Sequence, residues 1–410
     1  MAYTDEYKTL LKSFNQNEYQ IDIPELDLQI FNLSFNSTGY FSLPGIEERL
    51  IKEEITKNAI RNGSSFCYNN PLLNAVFDAP DAMVPENKDF KYIFLRNSAT
   101  KKSNRVILLF HGLNEKSWAK YLVWGTTLLR KTGKSVILFP ITFHMNRCPE
   151  SWSNRRLMNE VSIERKAIFP DLAESSFANA AISTRLSTRP QRFFYSGFQT
   201  YYDLMKLLEG IRNGSDPFIE SNAHIDVFSY SIGAFLSEIL FFTGSNGFLN
   251  NSRLCMFCGG TTTDRFQPVV KTIMDSAAYK KFNDFYARNF DNEVESNSLM
   301  REFYRKPLPE AKAFRCLLSS ELMRDFREHK LIELSDRIYA IPLKQDKVIP
   351  AEAVCRTLKG ESGNIPINVE ILDYPYRYTH ETPFPIIENI SKSVDMYFDL
   401  TFSKISEFFC

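Results

Sequence analysis

Cysteine and histidine are scarce in this 410-residue sequence: there are seven of the first and five of the second. The cysteines are scattered and odd in number, which excludes the paired framework of a small secreted domain. Reduced thiols in a cytoplasmic setting are the expectation. The opening M-A-Y-T-D-E-Y-K has no apolar stretch behind a basic start, so no secretory signal is expected. Long hydrophobic runs are missing too. A bilayer span needs ~18 apolar residues, and the nearest run, I-L-F-F at 239–242, is short and sits in an amphipathic pattern. Excess charge of one sign is also absent, with 49 Lys+Arg against 49 Asp+Glu. That balance argues against nucleic acid or an anionic membrane as a partner. No Walker loop and no G-x-G-x-x-G opens a helix after a strand, so no nucleotide cofactor is expected, and none of any other kind.

Aromatic residues are plentiful, with 35 Phe and 19 Tyr, enough for a large core. From residue 90 onward short, fully apolar runs recur: F-K-Y-I-F-L (90–95), R-V-I-L-L-F (105–110), S-V-I-L-F-P (135–140), H-I-D-V-F-S (224–229), R-L-C-M-F-C-G-G (253–260), R-I-Y-A-I-P-L (337–343) and I-N-V-E-I-L (367–372). Helical patterns separate them, at 118–130 and 232–242 among others. Buried strands alternating with helices predict an α/β class with a mostly parallel sheet and helices on both faces. Two stretches interrupt the alternation, 141–198 and the Phe-, Tyr- and Arg-rich 261–330. Both leave from the end of a strand, where open parallel sheets bind ligands, so both are expected to form lid and pocket walls. Residues 1–89 are read as an N-terminal extension packing on the core domain of 90–410. Within it, a helical start (Asp5 to Phe14), a strand-like L-Q-I-F (28–31) and an exposed helix over 46–57 are predicted.

The motif that carries chemistry is Ser229-Tyr230-Ser231-Ile232-Gly233, set between the strand H-I-D-V-F and an apolar helix. A strand–turn–helix of this kind lifts a hydroxyl above the sheet edge, and the turn is tight enough to demand small residues two before and two after the nucleophile. Ser229 and Gly233 meet that demand, although the first position is usually Gly. A capped, Ser-rich turn without chemistry is the bland alternative. In this motif and its setting the chain resembles the α/β-hydrolase superfamily over roughly residues 90–410. In H-G-L-N-E-K-S-W-A-K-Y (111–121) and F-P-I-T-F-H-M-N-R (139–147) it is similar to a bacterial branch of hydrolase-like proteins.

A serine hydroxyl needs a histidine to take its proton and a carboxylate to orient that histidine. The superfamily's chain order is Ser, acid, His. Only His329 and His380 follow Ser231. His329, in R-E-H-K, reads as a solvated helix position. His380, in Y-R-Y-T-H-E-T-P after the last apolar strand, stands where the superfamily places its base. Asp346, in K-Q-D-K-V-I-P, resembles the acid loop, and Asp264, in G-G-T-T-T-D, is the alternative. The resemblance also implies an oxyanion hole from the backbone N–H groups of Leu113 and Ile232, with His111 in a structural role. Asn114, His144 and Arg147 are candidate substrate contacts, Arg147 for an anionic group.

Other motifs are read conservatively. Cys255-x-x-Cys258 lacks the second ligand pair of a structural zinc site and is expected to be two core thiols; no metal is expected elsewhere. Arg185, Arg189 and Arg192 could bind a carboxylate or phosphate, but solvated loop charges are the expectation. The sequence therefore predicts a serine hydrolase acting on a small-molecule ester or related acyl substrate through an acyl-enzyme on Ser231. A non-catalytic protein of the same fold that binds a ligand or partner is the second reading.

Overall fold

The computed structural model describes residues 1–37, 77, 81, 84–296, 301 and 308–410. The helix expected over 46–57 lies outside them. The chain opens with α1 (Tyr3–Ser13), then β1 (Gln20–Ile23) and β2 (Leu28–Asn36). After β3 (Asp89–Asn97) and β4 (Ser103–Phe110) comes α2 (Ala119–Thr132), closed by Gly133 in the left-handed conformation at φ 67°. Gly is favoured there because it has no Cβ to clash. β5 (Ser135–Leu138) leads into α3 (Arg155–Ile168), α4 (Ala180–Thr188) and the long α5 (Gln191–Arg212). β6 (Ile219–Tyr230), α6 (Ile232–Phe242) and β7 (Leu254–Phe257) follow. Later elements include α7 (Ser276–Asp284), α8 (Pro309–Cys316), α9 (Arg324–Glu333), β8 (Ile338–Ile341), α10 (Ala351–Leu358), β9 (Asn368–Val369) and α11 (Ser391–Phe409).

Among the described residues nine strands form one sheet, in the order β1-β2-β3-β5-β4-β6-β7-β8-β9. The pairs β1–β2, β2–β3 and β3–β5 are antiparallel, and every pair from β5 to β9 is parallel. Side chains alternate between the two faces, as strand geometry requires. On β4, Val106, Leu108 and Phe110 enter one apolar cluster, and Ile107 and Leu109 enter the other. The first cluster is covered by α5, α6, α8 and α10, through Phe194, Leu236, Phe314 and Leu358 among others. The second is covered by α1, α2 and α11, through Leu10, Trp124 and Phe402. Burial on both sides is why these strands read as continuous apolar runs. This is the α/β class that the sequence predicts: a mostly parallel sheet with helices on both faces.

Some strands are shorter than their apolar runs. The run 367–372 pairs as a strand only at Asn368 and Val369, and an isolated bridge joins Leu343 to Leu372 beyond it. Residues 1–36 extend the sheet edge with two strands as well as adding a helix. Segment 261–330 supplies Phe282, Phe314 and Leu317 to the first apolar cluster. A buried bidentate pair, Arg165 on α3 with Asp275 at the start of α7 (2.7 and 2.8 Å), ties the two segments together. Among the described residues no helix is long and apolar enough to cross a membrane.

Candidate active site

Four strand ends converge at the carboxyl edge of the sheet. β6 ends at Tyr230, and Ser231 follows at φ 57° and ψ −121°, a region non-glycine residues rarely occupy. Its N–H donates to the carbonyl of Phe257 at the end of β7 (3.2 Å). Close packing enforces the turn. A Cβ on Gly233 would stand 2.8 Å from Phe110 Cβ and 2.9 Å from the carbonyl oxygens of Phe110 and His111. A Cβ on Gly259 would stand 2.4 Å from Ala234 Cβ and 2.9 Å from the Ser231 carbonyl. The departure at Ser229 is accommodated: its hydroxyl is buried and donates to the Cys255 carbonyl at 3.4 Å.

His380 Nε2 lies 2.7 Å from Ser231 Oγ, and His380 Nδ1 lies 2.6 Å from Asp346 Oδ2. A carboxylate only accepts, so Nδ1 carries the proton and Nε2 presents its lone pair to the serine hydroxyl. Asp346 is itself fixed, its Oδ1 accepting from the N–H groups of Val348 (2.8 Å) and Ile349 (2.9 Å). Ser231, Asp346 and His380 are 5%, 4% and 4% exposed, so the line is shielded from bulk water.

Several supporting residues carry no sequence signature. Tyr230, the variable residue of the motif, donates its hydroxyl to the His380 carbonyl and stacks on the imidazole at 5.3 Å. Lys120 lies over the Tyr230 ring at 4.6 Å, donates to the Glu381 carbonyl (2.9 Å) and pairs with Glu115 (2.5 Å). Tyr121 accepts from Gly112 N–H (3.0 Å), which shapes the loop after β4. Burial, and then the neighbouring Asp346 carboxylate, keep the Cys258 thiol protonated well above its ordinary range. Cys258 stands just past the end of β7 at φ 50°, and Cys255 and Cys258 are both buried in the second apolar cluster.

Leu113 and Ile232 both line a narrow, apolar cavity of ≈ 60 Å³, with His144 in its wall. Leu113 also borders an open cleft of ≈ 610 Å³ that includes Asn114, Lys120, Thr272 and Glu381. Asn114 donates to the carbonyls of Ala178 (2.9 Å) and Thr272 (2.7 Å), and the Thr272 hydroxyl donates to Glu381 (2.5 Å), so segment 261–330 is tied to the loops on either side of the serine.

Other candidates are placed elsewhere. Arg147 does not reach either cavity. It is wholly buried, donating to Asp203 (2.7 Å) and to the carbonyls of Pro140 and Asn87, with its guanidinium 3.9 Å from the Phe90 ring. Arg185 and Arg192 are not solvated loop charges; both are buried on Asp81, Arg185 through two 2.6 Å bonds. Burial alone would raise the Asp81 pKa, but these two guanidiniums hold it below the ordinary value. Asp264 accepts from Ser320 N–H (2.9 Å) and Oγ (2.8 Å), away from His380. His329 is exposed beside Glu333. His111 Nε2 accepts from Ile141 N–H (2.9 Å), bracing the ends of β4 and β5, and burial then His144 hold its pKa far down.

No curated protein matches the sequence. Solved structures similar to it include carboxyl esterase 2 from the fungus Tuber melanosporum, at 12% identity over 78% of this chain and 82% of that one, TM-score 0.40. An esterase from Pyrobaculum calidifontis is similar at 10% identity over 98% of both chains, TM-score 0.38. A thermostable esterase from Pseudomonas putida is similar at 12% identity over 89% of this chain and 98% of that one, TM-score 0.37. The profile that describes a family of unknown function, DUF6051, matches residues 1–410, and the chain belongs to that family.

Proposed function

We propose that this chain is a serine hydrolase that cleaves an ester of a small molecule through an acyl-enzyme on Ser231. The observation that carries the reading is the unbroken hydrogen-bonded line Ser231–His380–Asp346. His380 Nε2 takes the hydroxyl proton as Ser231 Oγ attacks the carbonyl carbon. The N–H groups of Leu113 and Ile232 receive the developing oxyanion, Ile232 from the first position of α6, where the helix dipole adds to the field. His380 then gives its proton to the leaving alkoxide, and the acyl group remains on Ser231. Water, deprotonated by His380, attacks the acyl carbon, and the acid leaves as Ser231 recovers its proton. Asp346 holds the tautomer and stabilises the imidazolium. An ester is the favoured bond because an alkoxide leaves more readily than an amine. The cysteines of the described residues are free, with Cys148, Cys255, Cys258 and Cys316 buried, which fits work in the reducing cytoplasm.

Hydrolysis of p-nitrophenyl butyrate tests the reading. Ser231→Ala and His380→Ala should each lower kcat/KM by about 10⁴-fold or more, with little change in melting temperature. Variants that stay within tenfold of the native enzyme would remove Ser231 and His380 from the chemistry.

A further inference from the structure

Residues 373–387, which carry His380, contain no helix or strand. A carbonyl outside a ladder still needs a donor, and here two consecutive ones are met by side chains from distant parts of the chain. The His380 carbonyl accepts from the Tyr230 hydroxyl, and the Glu381 carbonyl accepts from Lys120 Nζ (2.9 Å). Burial pushes the Tyr230 pKa well above its ordinary value, so the hydroxyl keeps the proton it donates. Within the loop, Thr382 N–H closes a turn on the Thr379 carbonyl (3.2 Å).

The same two side chains reach the loop after β4. The Tyr230 ring is 1% exposed and stacks on the imidazole at 5.3 Å and 19°. It also presses on Gly112, where a Cβ would stand 2.9 Å from Tyr230 Cε1. Lys120, the second residue of α2, holds its Nζ 4.6 Å from the centre of the Tyr230 ring and 2.5 Å from Glu115 Oε1. Glu115 accepts from the Tyr121 hydroxyl (2.9 Å), which accepts from Gly112 N–H (3.0 Å). The Lys120 and Glu115 side chains are only 15% and 20% exposed, so water weakens the pair and the cation–ring contact little. These contacts run unbroken from Gly112 to the backbone of His380.

Resting on the serine-hydrolase reading, we infer that Tyr230 and Lys120 are positioning residues that hold the His380 and Glu381 carbonyls, and so aim His380 Nε2 at the leaving oxygen once it has taken the Ser231 proton. Asp346 fixes the tautomer of the ring, and these two fix where the ring stands relative to the loop after β4.

The test compares two leaving groups on one acyl group, p-nitrophenyl butyrate and ethyl butyrate. p-Nitrophenolate departs without a proton, whereas ethoxide needs one from His380. A displaced imidazole therefore costs the ethyl ester more. General acid–base catalysis is worth roughly 10²–10⁴-fold, so Tyr230→Phe and Lys120→Met should each lower the ethyl-to-p-nitrophenyl ratio of kcat/KM by at least about tenfold. The ratio is taken within each protein, so a smaller folded fraction or a general loss of rate cancels. Tyr230→Phe keeps the ring and loses one oxygen atom, and it decides the matter where Lys120→Met does not fold. A native ratio in a folded variant overturns the inference. So does native protein that cleaves the p-nitrophenyl ester but not the ethyl ester, because its imidazole is not aimed at the leaving oxygen. Native protein that hydrolyses neither ester overturns the hydrolase reading, and this inference falls with it.

Discussion

At the scale of the residue, the site depends on a serine held where serine does not settle by preference. A non-glycine residue at φ 57° and ψ −121° stores on the order of 1–3 kcal/mol of backbone strain. The surroundings maintain it through the Ser231–Phe257 backbone bond and the close approaches at Gly233 and Gly259. Gly233→Ala should therefore destabilise the fold by about 1–3 kcal/mol, seen as a lower denaturation midpoint, and should slow probe labelling of Ser231. An unchanged midpoint would mean that the turn has room it does not show. The two candidate acids separate cleanly. Asp346→Asn removes the charge that orients His380 and should cost about 10⁴ in kcat, while Asp264→Asn disturbs only bonds to Ser320 and should leave kcat near native. A reversed order would move the acid to Asp264. The line Ser231–His380–Asp346 was legible because only two histidines follow Ser231 and Asp346 stands just past an apolar strand. Arg147 was not. Its partner Asp203 is 56 positions away, and no local pattern distinguishes an arginine aimed at a ligand from one buried on a carboxylate.

At the scale of the element, α6 has a second feature beyond presenting Ile232. Glu238 lies on this helix fully buried, and neither carboxyl oxygen has a hydrogen-bond partner among the described residues. Burial raises its pKa to about 8, with Arg327 opposing. The folded state therefore keeps the proton over a range where the unfolded chain, near the ordinary carboxylate value of ~4.3, has lost it. The stability this contributes is full below that value and is lost as pH rises through about 8. Unfolding midpoints measured between pH 5 and 8 should fall with pH in the native protein and fall less steeply in Glu238→Gln. Parallel slopes would show that Glu238 does not titrate in this way. The strands β4 to β8 could be read directly, since burial on both faces makes most of each an apolar run. β9 could not be bounded, because Ile371 and Leu372 prolong the strand-like pattern after its pairing as a strand stops at Val369.

At the scale of the molecule, the first and last elements meet near the loop that carries His380. Tyr3 of α1 stacks on Phe398 of α11 at 4.1 Å and donates to the carbonyl of Phe384, four residues after His380. Tyr3→Ala should cost about 3–5 kcal/mol of stability, by analogy with other large aromatic truncations; a loss under 1 kcal/mol would show that α1 does not brace the core. This coupling was not legible, nor was the addition of β1 and β2 to the sheet edge, because both depend on contacts between distant parts of the chain. The parallel core and the turn at Ser231 were legible, because strand, turn and helix are adjacent in sequence.

Intact-mass analysis and peptide mapping of protein treated with a fluorophosphonate test the central claim most directly. Native protein should gain one adduct, on Ser231, and Ser231→Ala should gain none under the same conditions. An adduct on another residue, or no adduct on folded native protein, would contradict the assignment of Ser231 as the nucleophile.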